Sequence, residues 1–353
     1  AIDEAANDNP LAFANTEVSI DPLTKEITII STNPGIPFEV IFPAIKYINE
    51  LSQIKNPKNI LFITNNVGSE FCDQINNKNV NLCIINSRNK FLFILNITKY
   101  LIPLFIRNRK LILIGFGGFI TTPVLYISKF FNIINSNKIY IHEQNYILGL
   151  ANKINYLIAD KVFTSFPSMK LNKKEIYVGN FFNSLDKDTE ELNNNYINIL
   201  LLGGSGGSLE LNNILLSKLK DLDKELLNKL KLSVQIPINY FKKYQENYLK
   251  IIKNINFFKF NNNLDYTNYD LIISRSGSGS LNDILYCTDS VYFVPHLNSR
   301  DGHQSLNLDF YRKHSNFLDK LEILDFKKKT NPFYINSLIN PFSINKIICY
   351  LTR

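Results

Sequence analysis

The stretch INILLLGGSGGSLELNNILLSKLKDL, residues 197–222, is the most informative part of this 353-residue chain for its fold class. It begins with an apolar run typical of a buried strand, continues through the glycine-rich loop GGSGGS (203–208) and ends in a leucine-rich segment with helical spacing. A glycine loop between a strand and a helix is typical of phosphate-binding junctions in Rossmann-like domains. A single loop of this kind is equally compatible with a tight turn.

Two further junctions follow the same pattern. GFGG (115–118) comes after the apolar run KLILI, RSGSGS (275–280) comes after DLIIS, and each precedes a helical segment. Such junctions offer backbone N–H groups and the positive end of a helix to an anion. Three of them in one chain predict a ligand that carries phosphate.

Short apolar strands alternate with helical segments along the chain, in two series. The first series is 27–31, 59–64, 81–86, 110–115, 138–143 and 161–166, and the second is 197–204, 231–237, 256–260, 270–277 and 290–295. This alternation predicts an α/β fold of two Rossmann-like domains, each with a doubly wound parallel sheet, that face a cleft.

The polar run SLDKDTEELNNN (184–195) separates the two series. We predict an N-terminal domain over 27–183, a C-terminal domain over 196–325 and a helical tail over 326–353 that packs back on the N-terminal domain. Residues 1–26 are rich in alanine and acids and lack the features of a signal peptide. They are expected to form a tail outside both domains.

Composition and charge narrow the classes of partner. Lysines and arginines number 39 against 31 acids, a net charge of +8 that favours anionic partners. No basic helix or aromatic platform motif points to nucleic acid. The four cysteines have neither metal-type nor redox-type spacing, so we predict no disulfide framework and no metal site.

The segment over 88–110 contains the apolar run FLFILNITKYLIPLFI (91–106) between basic flanks. Asn96, Lys99 and Pro103 interrupt the run, so it is too broken to span a membrane. It fits a core helix or an interfacial helix whose basic flanks meet an anionic membrane surface, and its bulky apolar residues slightly favour the second.

One longer string is specific to a family. HEQNYILGLANKINYLIADKVFTSFP (142–167), the three glycine loops and VYFVPHLNSRDGHQSLNL (291–308) occur in the order and spacing of the MurG family of peptidoglycan glycosyltransferases, which the chain resembles over about 27–325. The resemblance implies a GT-B enzyme without metal or cofactor, peripheral on the cytoplasmic face of the bacterial inner membrane.

The implied reaction is an inverting transfer of N-acetylglucosamine from UDP-N-acetylglucosamine. The acceptor would be the C4 hydroxyl of undecaprenyl-diphospho-muramoylpentapeptide, and the product a lipid-linked disaccharide for peptidoglycan synthesis. Neither substrate involves nucleic acid.

The resemblance also assigns a donor site to the C-terminal domain. Gly203, Gly204 and Ser205 match the loop that meets the donor diphosphate, with Arg275 and Ser276 beside it. Their backbone N–H groups would stabilise the charge that grows on the leaving phosphate.

Further along, Asp283 stands where the family has a glutamate that binds the ribose hydroxyls. His303 and Gln304 match a pair that binds the sugar hydroxyls, and Asn307 matches the asparagine that follows.

In the N-terminal domain, the resemblance assigns acceptor contacts. Gly117 and Gly118 match a loop near the acceptor diphosphate, and His142, Glu143, Gln144 and Asn145 match a motif that faces the cleft. His142 taken alone is more typical of a core histidine, but its place in the HEQN string favours a residue that faces the cleft.

The first loop departs from the family. Residues 31–45 read STNPGIPFEVIFPAI, with prolines that lack an N–H and without the family's glycine pattern or histidine. We therefore consider Glu39, Glu143 and Asn145 as catalytic residues, with either carboxylate as the general base. The family's arginine shortly after VGN (178–180) is absent, and Asn183 is the nearest polar residue. Two functions follow: an active transferase, or a non-catalytic homologue that binds nucleotide sugar or cell-wall partners.

Overall fold

The structure is a computed structural model that describes thirteen segments of the chain, which are 27–31, 41–54, 60–65, 72–76, 80–85, 90–108, 110–167, 173–179, 196–204, 206–261, 264–288, 290–296 and 302–312. The described residues belong to two compact units, an N-terminal unit up to residue 179 and a C-terminal unit from residue 196. The tails predicted for 1–26 and 326–353 and the boundary at residue 183 lie outside the described residues.

The N-terminal unit contains one sheet of parallel strands. Its strands are β1 (Ile27–Ser31), β2 (Ile60–Thr64), β3 (Val80–Ile84), β4 (Leu111–Gly115), β5 (Lys138–Glu143), β6 (Lys161–Thr164) and β7 (Glu175–Tyr177). They lie in the order β3-β2-β1-β4-β5-β6-β7. The order reverses between β1 and β4, so the loops that follow these two strands diverge at the carboxyl edge of the sheet.

Helices cover both faces of this sheet. They are α1 (Ile41–Ile54), α2 (Lys90–Arg107), α3 (Thr121–Phe131) and α4 (Leu150–Asn155). Alternate residues of one strand enter different apolar clusters: Leu113 of β4 packs with α2 and α3, whereas Ile114 packs with α1. A sheet buried on both faces needs continuous apolar strands, which explains why β2 reads ILFIT with every residue buried.

The C-terminal unit repeats the plan with five parallel strands. These are β8 (Ile197–Leu202), β9 (Leu230–Gln235), β10 (Ile255–Phe258), β11 (Leu271–Ser274) and β12 (Val291–Phe293), in the order β10-β9-β8-β11-β12. The helices are α5 (Leu209–Lys220), α6 (Lys224–Lys229), α7 (Phe241–Leu249), α8 (Ser278–Cys287) and α9 (His303–Arg312). The switch point lies between β8 and β11, which the glycine loops 203–208 and 275–280 follow.

Two parallel sheets with crossover helices confirm the predicted α/β class. Strands β1 and β5 begin and end where the sequence predicts. The sequence of 148–159, LGLANKINYLIA, predicts a helix over its whole length. The observed helix α4 is shorter, because Leu157 N and Ile158 N donate to carbonyls three residues back and tighten the chain into a turn. Strand β7 is too short and too lightly buried to give a hydrophobic signal.

Candidate functional site

The loop after β8 folds tightly back onto the start of α5. A side chain at Gly203 would place its Cβ 2.1 Å from the backbone nitrogen of Ser208, so only glycine fits. Gly204 has a φ of 80°, in the left-handed region that favours glycine. Ser208 caps α5 by accepting a hydrogen bond from Leu211 N. The loop therefore leads directly to a helix N-terminus, the positive end of the helix dipole.

A buried glutamine that the sequence did not single out holds this loop in place. Gln235, the last residue of β9, accepts a hydrogen bond from Gly203 N at 2.8 Å. Its Nε2 donates to Gly204 O at 2.7 Å and to Lys259 O at 3.0 Å. The Gly203 N–H, which the resemblance places at the donor diphosphate, is thus already hydrogen-bonded to a side chain of the protein. The sequence feature that could have identified Gln235 is its single amide side chain at the end of the strand LKLSVQ.

The RSG segment after β11 connects the loop to the neighbouring elements. The guanidinium of Arg275 donates to Val294 O and Pro295 O, both at 3.2 Å, and to Ser208 Oγ at 2.9 Å. Ser276 Oγ donates to the backbone carbonyl of Gln304 at 2.9 Å. Both side chains are buried, so they organise the carboxyl edge of the sheet from within.

The remaining predicted donor residues lie on α8 and α9. Asp283 of α8 is half-buried. Burial of Tyr266 is the main cause that raises the pKa of this tyrosine, and the charge of Asp283 raises it further, so the two side chains lie close together. His303 and Gln304 begin α9, and Gln304 Oε1 accepts a hydrogen bond from His296 N at 2.8 Å. Asn307 is fully buried. Ser205 lies outside the described residues.

In the N-terminal unit, the loop after β4 contains the two predicted glycines. Gly117 and Gly118 have φ values of 90° and 84°, both in the left-handed region. Thr121, the first residue of α3, donates from Oγ1 to Gly117 O at 2.7 Å. The chain therefore turns sharply at the carboxyl end of β4, beside the end of the parallel strand β5.

Four hydrogen bonds within the protein hold the carboxylate of Glu143 at the end of β5. Its Oε1 accepts hydrogen bonds from the backbone and side-chain nitrogens of Asn145, at 3.0 and 3.3 Å. Its Oε2 accepts from Gly149 N and Asn152 Nδ2, both at 2.9 Å. A carboxylate offers about four lone pairs, and all are used here. This geometry argues against Glu143 as the general base and favours a role in positioning Asn145.

His142 lies in the interior rather than at a ligand surface. Its side chain is 1 % exposed, its ring centroid is 5.3 Å from that of Phe116, and its Nε2 is 3.4 Å from Ser165 Oγ. Burial lowers the pKa of His142 to about 3, so the ring is neutral at ordinary pH. In this structure His142 is therefore a core side chain, and its contact with substrate stays a prediction.

Asn145 is the residue of the HEQN string that reaches the surface, since Gln144 is also buried. Of the three predicted catalytic residues, Asn145 keeps an accessible position, Glu143 supports it, and Glu39 lies outside the described residues. The first loop and Asn183 lie outside them as well.

A separate surface of the N-terminal unit combines apolar and basic side chains. Helices α2, α3 and α4 pack side by side against one cluster. Helix α2 buries Ile97, Leu101 and Phe105 in that cluster, which fits the core interpretation of 91–106. Exposed apolar residues on or directly after these helices are Leu92, Ile94, Leu95, Ile102, Ile106, Tyr126, Phe130, Ile133, Ile134, Leu150, Ile154 and Leu157.

Basic side chains accompany these apolar ones. Exposed cations of the same segments are Lys99, Arg107, Lys110, Lys129, Lys138 and Lys153. Glu143 and Asp160 are the acids of the whole stretch 90–167, and the first is buried. We call this surface the α2–α4 face. Within the described part of the chain, no helix is both long and apolar enough to cross a membrane.

Comparisons with known proteins agree with this architecture. Residues 41–164 match the glycosyltransferase family 28 N-terminal domain, and residues 198–317 match the C-terminal domain of the same family. The crystal structure of Acinetobacter baumannii MurG has a TM-score of 0.60 and 20% sequence identity, and the match covers 92% of this chain and 94% of that one. These matches define a GT-B glycosyltransferase fold.

Curated relatives indicate which branch of the GT-B glycosyltransferases this chain resembles. Two of them, from Wolbachia sp. subsp. Brugia malayi (strain TRS) and Pelagibacter ubique (strain HTCC1062), are named UDP-N-acetylglucosamine--N-acetylmuramyl-(pentapeptide) pyrophosphoryl-undecaprenol N-acetylglucosamine transferase. The first is 27% identical over 71% of this chain and 74% of its own length. The second is 27% identical over 90% and 89%. The chain belongs to glycosyltransferase family 28, and within it to the MurG family.

The four hydrogen bonds to the Glu143 carboxylate predict that this side chain stabilises the fold. In Glu143→Gln an amide NH2 replaces one oxygen and faces two donors, so we expect the free energy of unfolding in urea to fall by about 2 kcal/mol. The amide proton of Asn145 or Gly149 should exchange faster. Glu246→Gln, on an exposed glutamate of α7, is the control and should change stability by less than about 0.5 kcal/mol. Unchanged stability with lost transfer would instead assign Glu143 a chemical role.

The low pKa of His142 predicts a pH dependence. His142 takes up a proton near pH 6.5 in the unfolded chain but only near pH 3 in the folded protein. Its contribution to the free energy of unfolding is therefore complete above pH 6.5 and declines as pH falls. Each pH unit below 6.5 should cost about 1.4 kcal/mol from this group. We expect urea unfolding of His142→Gln to lose about 2 kcal/mol less than the unmodified protein between pH 6.5 and 5. Identical losses would show that the pKa of His142 is the same in the folded and unfolded states.

Proposed function

We propose that the protein transfers N-acetylglucosamine from UDP-N-acetylglucosamine to the C4 hydroxyl of undecaprenyl-diphospho-muramoylpentapeptide, with inversion, in peptidoglycan synthesis. The observation that carries this proposal is the hydrogen-bonded assembly at the carboxyl edge of the second sheet. There Gln235, Arg275 and Ser276 hold a glycine loop, a helix N-terminus and α9 together. Family membership and the names of the relatives support the same reaction.

The donor diphosphate would bind at the loop after β8. Gly206 of this loop is exposed beside the N-terminus of α5, where the helix dipole attracts negative charge. As the bond between the sugar and the diphosphate breaks, charge grows on the leaving UDP. Preorganised N–H dipoles stabilise that charge in the transition state more than in the ground state, which accelerates the reaction.

The other donor contacts follow from chemistry and position. The Asp283 carboxylate accepts hydrogen bonds, which suits the two ribose hydroxyls. His303 and Gln304 both combine donors with acceptors, which suits the hydroxyls of the sugar. Ser276 and His296 hold Gln304 through its backbone and side chain, so its orientation is set before the donor binds.

The acceptor would bind to the N-terminal unit. Gly117 and Gly118 would meet its diphosphate, and Asn145 would orient its sugar while Glu143 holds the asparagine in place. Glu39 stays our proposal for the base that takes the proton of the C4 hydroxyl, because both oxygens of Glu143 are already occupied.

The α2–α4 face would hold the enzyme on an anionic membrane surface, where the lipid-linked acceptor resides. Apolar side chains gain free energy by leaving water for the acyl boundary, and the lysines and arginines around them attract anionic head groups. This supports a peripheral location on the cytoplasmic face of the bacterial inner membrane.

A second candidate is a non-catalytic homologue that binds nucleotide sugar or cell-wall partners. The observation that favours it is the first loop, whose prolines and missing histidine depart from the family at 31–45. The C-terminal unit would then keep a working donor site while the chemistry is lost.

Transfer of labelled N-acetylglucosamine to the lipid-linked acceptor tests the choice. We expect turnover, with kcat/KM for the donor at least about tenfold lower in Asp283→Ala, because a hydrogen bond to a charged group is lost. Asp221→Ala, on an exposed aspartate after α5, should leave kcat/KM unchanged. UDP binding without turnover would favour the non-catalytic homologue that binds nucleotide sugar. Absence of UDP binding would contradict the transferase and leave only a homologue that binds cell-wall partners.

Vesicle co-sedimentation tests the membrane contact. Ile133 is 81 % exposed on the α2–α4 face, and Ile133→Glu should weaken partitioning onto phosphatidylglycerol vesicles about tenfold by replacing an apolar contact with a negative charge. Ile238 is 65 % exposed in the C-terminal unit, and Ile238→Glu is the matched control. Equal losses in the two variants would mean that the α2–α4 face does not bind the membrane.

A further inference from the structure

A carboxylate that the resemblance does not assign is paired with the arginine of the donor site. Glu210, in the first turn of α5, accepts a hydrogen bond from Arg275 Nη2 and forms an ion pair with it. We infer that Glu210 is an internal counter-ion that the donor diphosphate displaces, so that this residue sets the affinity for the donor. The inference rests on the proposed function, since it takes a nucleoside diphosphate as the ligand of this site.

The two members of the pair are in different environments. The Arg275 side chain is 4 % exposed, and three further acceptors, two carbonyls and Ser208 Oγ, hold it in place. The Glu210 side chain is 52 % exposed. The arginine is therefore a fixed positive charge inside the unit, whereas the carboxylate can rotate into solvent at little cost.

Two positive features meet at this point. Arg275 Nη2 lies 2.9 Å from the hydroxyl of Ser208, the residue that caps α5, so the guanidinium lies next to the positive end of the helix dipole. Like charges in contact are unfavourable, and a carboxylate in the first helical turn offsets both of them. Glu210 occupies this position in the structure.

A diphosphate at the glycine loop carries more negative charge than one carboxylate and would approach the same two positive features. Glu210 then repels the ligand and competes with it for Arg275. Rotation of Glu210 away from Arg275 releases one guanidinium N–H toward the phosphates. A variant without the carboxylate should therefore bind the diphosphate more tightly, because the competing anion is absent.

Calorimetric titration of the full chain with UDP tests this inference. Glu210→Gln keeps an oxygen that can accept from Arg275 but removes the charge, and we expect its Kd for UDP to fall about fivefold at low ionic strength, with a smaller gain in high salt. Binding of uridine, which has no phosphate, should not change. An unchanged or higher Kd for UDP in Glu210→Gln would overturn the inference.

Glu225→Gln is the matched control. Glu225 is also a first-turn glutamate, at the start of α6, and it is paired with Lys229 at 2.7 Å. This variant makes the same change in net charge and should leave the Kd for UDP unchanged; a gain equal to that of Glu210→Gln would show a non-specific effect of charge and overturn the inference. If the unmodified protein fails to bind UDP, the inference about Glu210 and the donor half of the proposed function both fail. If it binds UDP and Glu210→Gln binds equally well, only the inference fails.

Discussion

The three hydrogen bonds of the Gln235 side chain are the interaction on which the donor half of the protein depends. They join the glycine loop after β8 to the carboxyl ends of β9 and β10. A glycine loop has the greatest backbone freedom to lose on folding, so without such a tie its N–H groups would not be held toward a ligand. Because the amide is buried, each of its hydrogen bonds forms without competition from water, and the cost of breaking one is high.

The N-terminal unit solves the same problem with a charge. Glu143 gathers donors from Asn145, Gly149 and Asn152, so one buried carboxylate links the end of β5 to the start of α4. In both units a polar side chain at the end of an apolar strand is turned inward to support the loop rather than outward to touch a ligand. The buried position of His142 follows from the same arrangement, since it belongs to the strand and not to the loop.

Much of the fold was predictable because parallel strands that are buried on both faces must be apolar along their whole length. ILFIT and LILIG show this pattern clearly, and the strands occur within the runs that it predicts. The short strand β7 and helix α6, which buries none of its residues, carry no such signal. The roles of Gln235 and Glu210 were not predictable, because the groups that they contact lie 31 and 65 residues away along the chain.

The sequence alone determined the class of this protein: apolar periodicity specifies parallel α/β sheets, glycines specify where the backbone turns at their carboxyl edges, and the HEQN string specifies the family. Only the tertiary structure decided which members of those motifs face inward. His142 and Glu143 are chemically able to bind a substrate, yet folding commits their side chains to the interior. The physical reason is that a buried polar group must find its partners within the protein, and those partners come from segments that only the fold brings together.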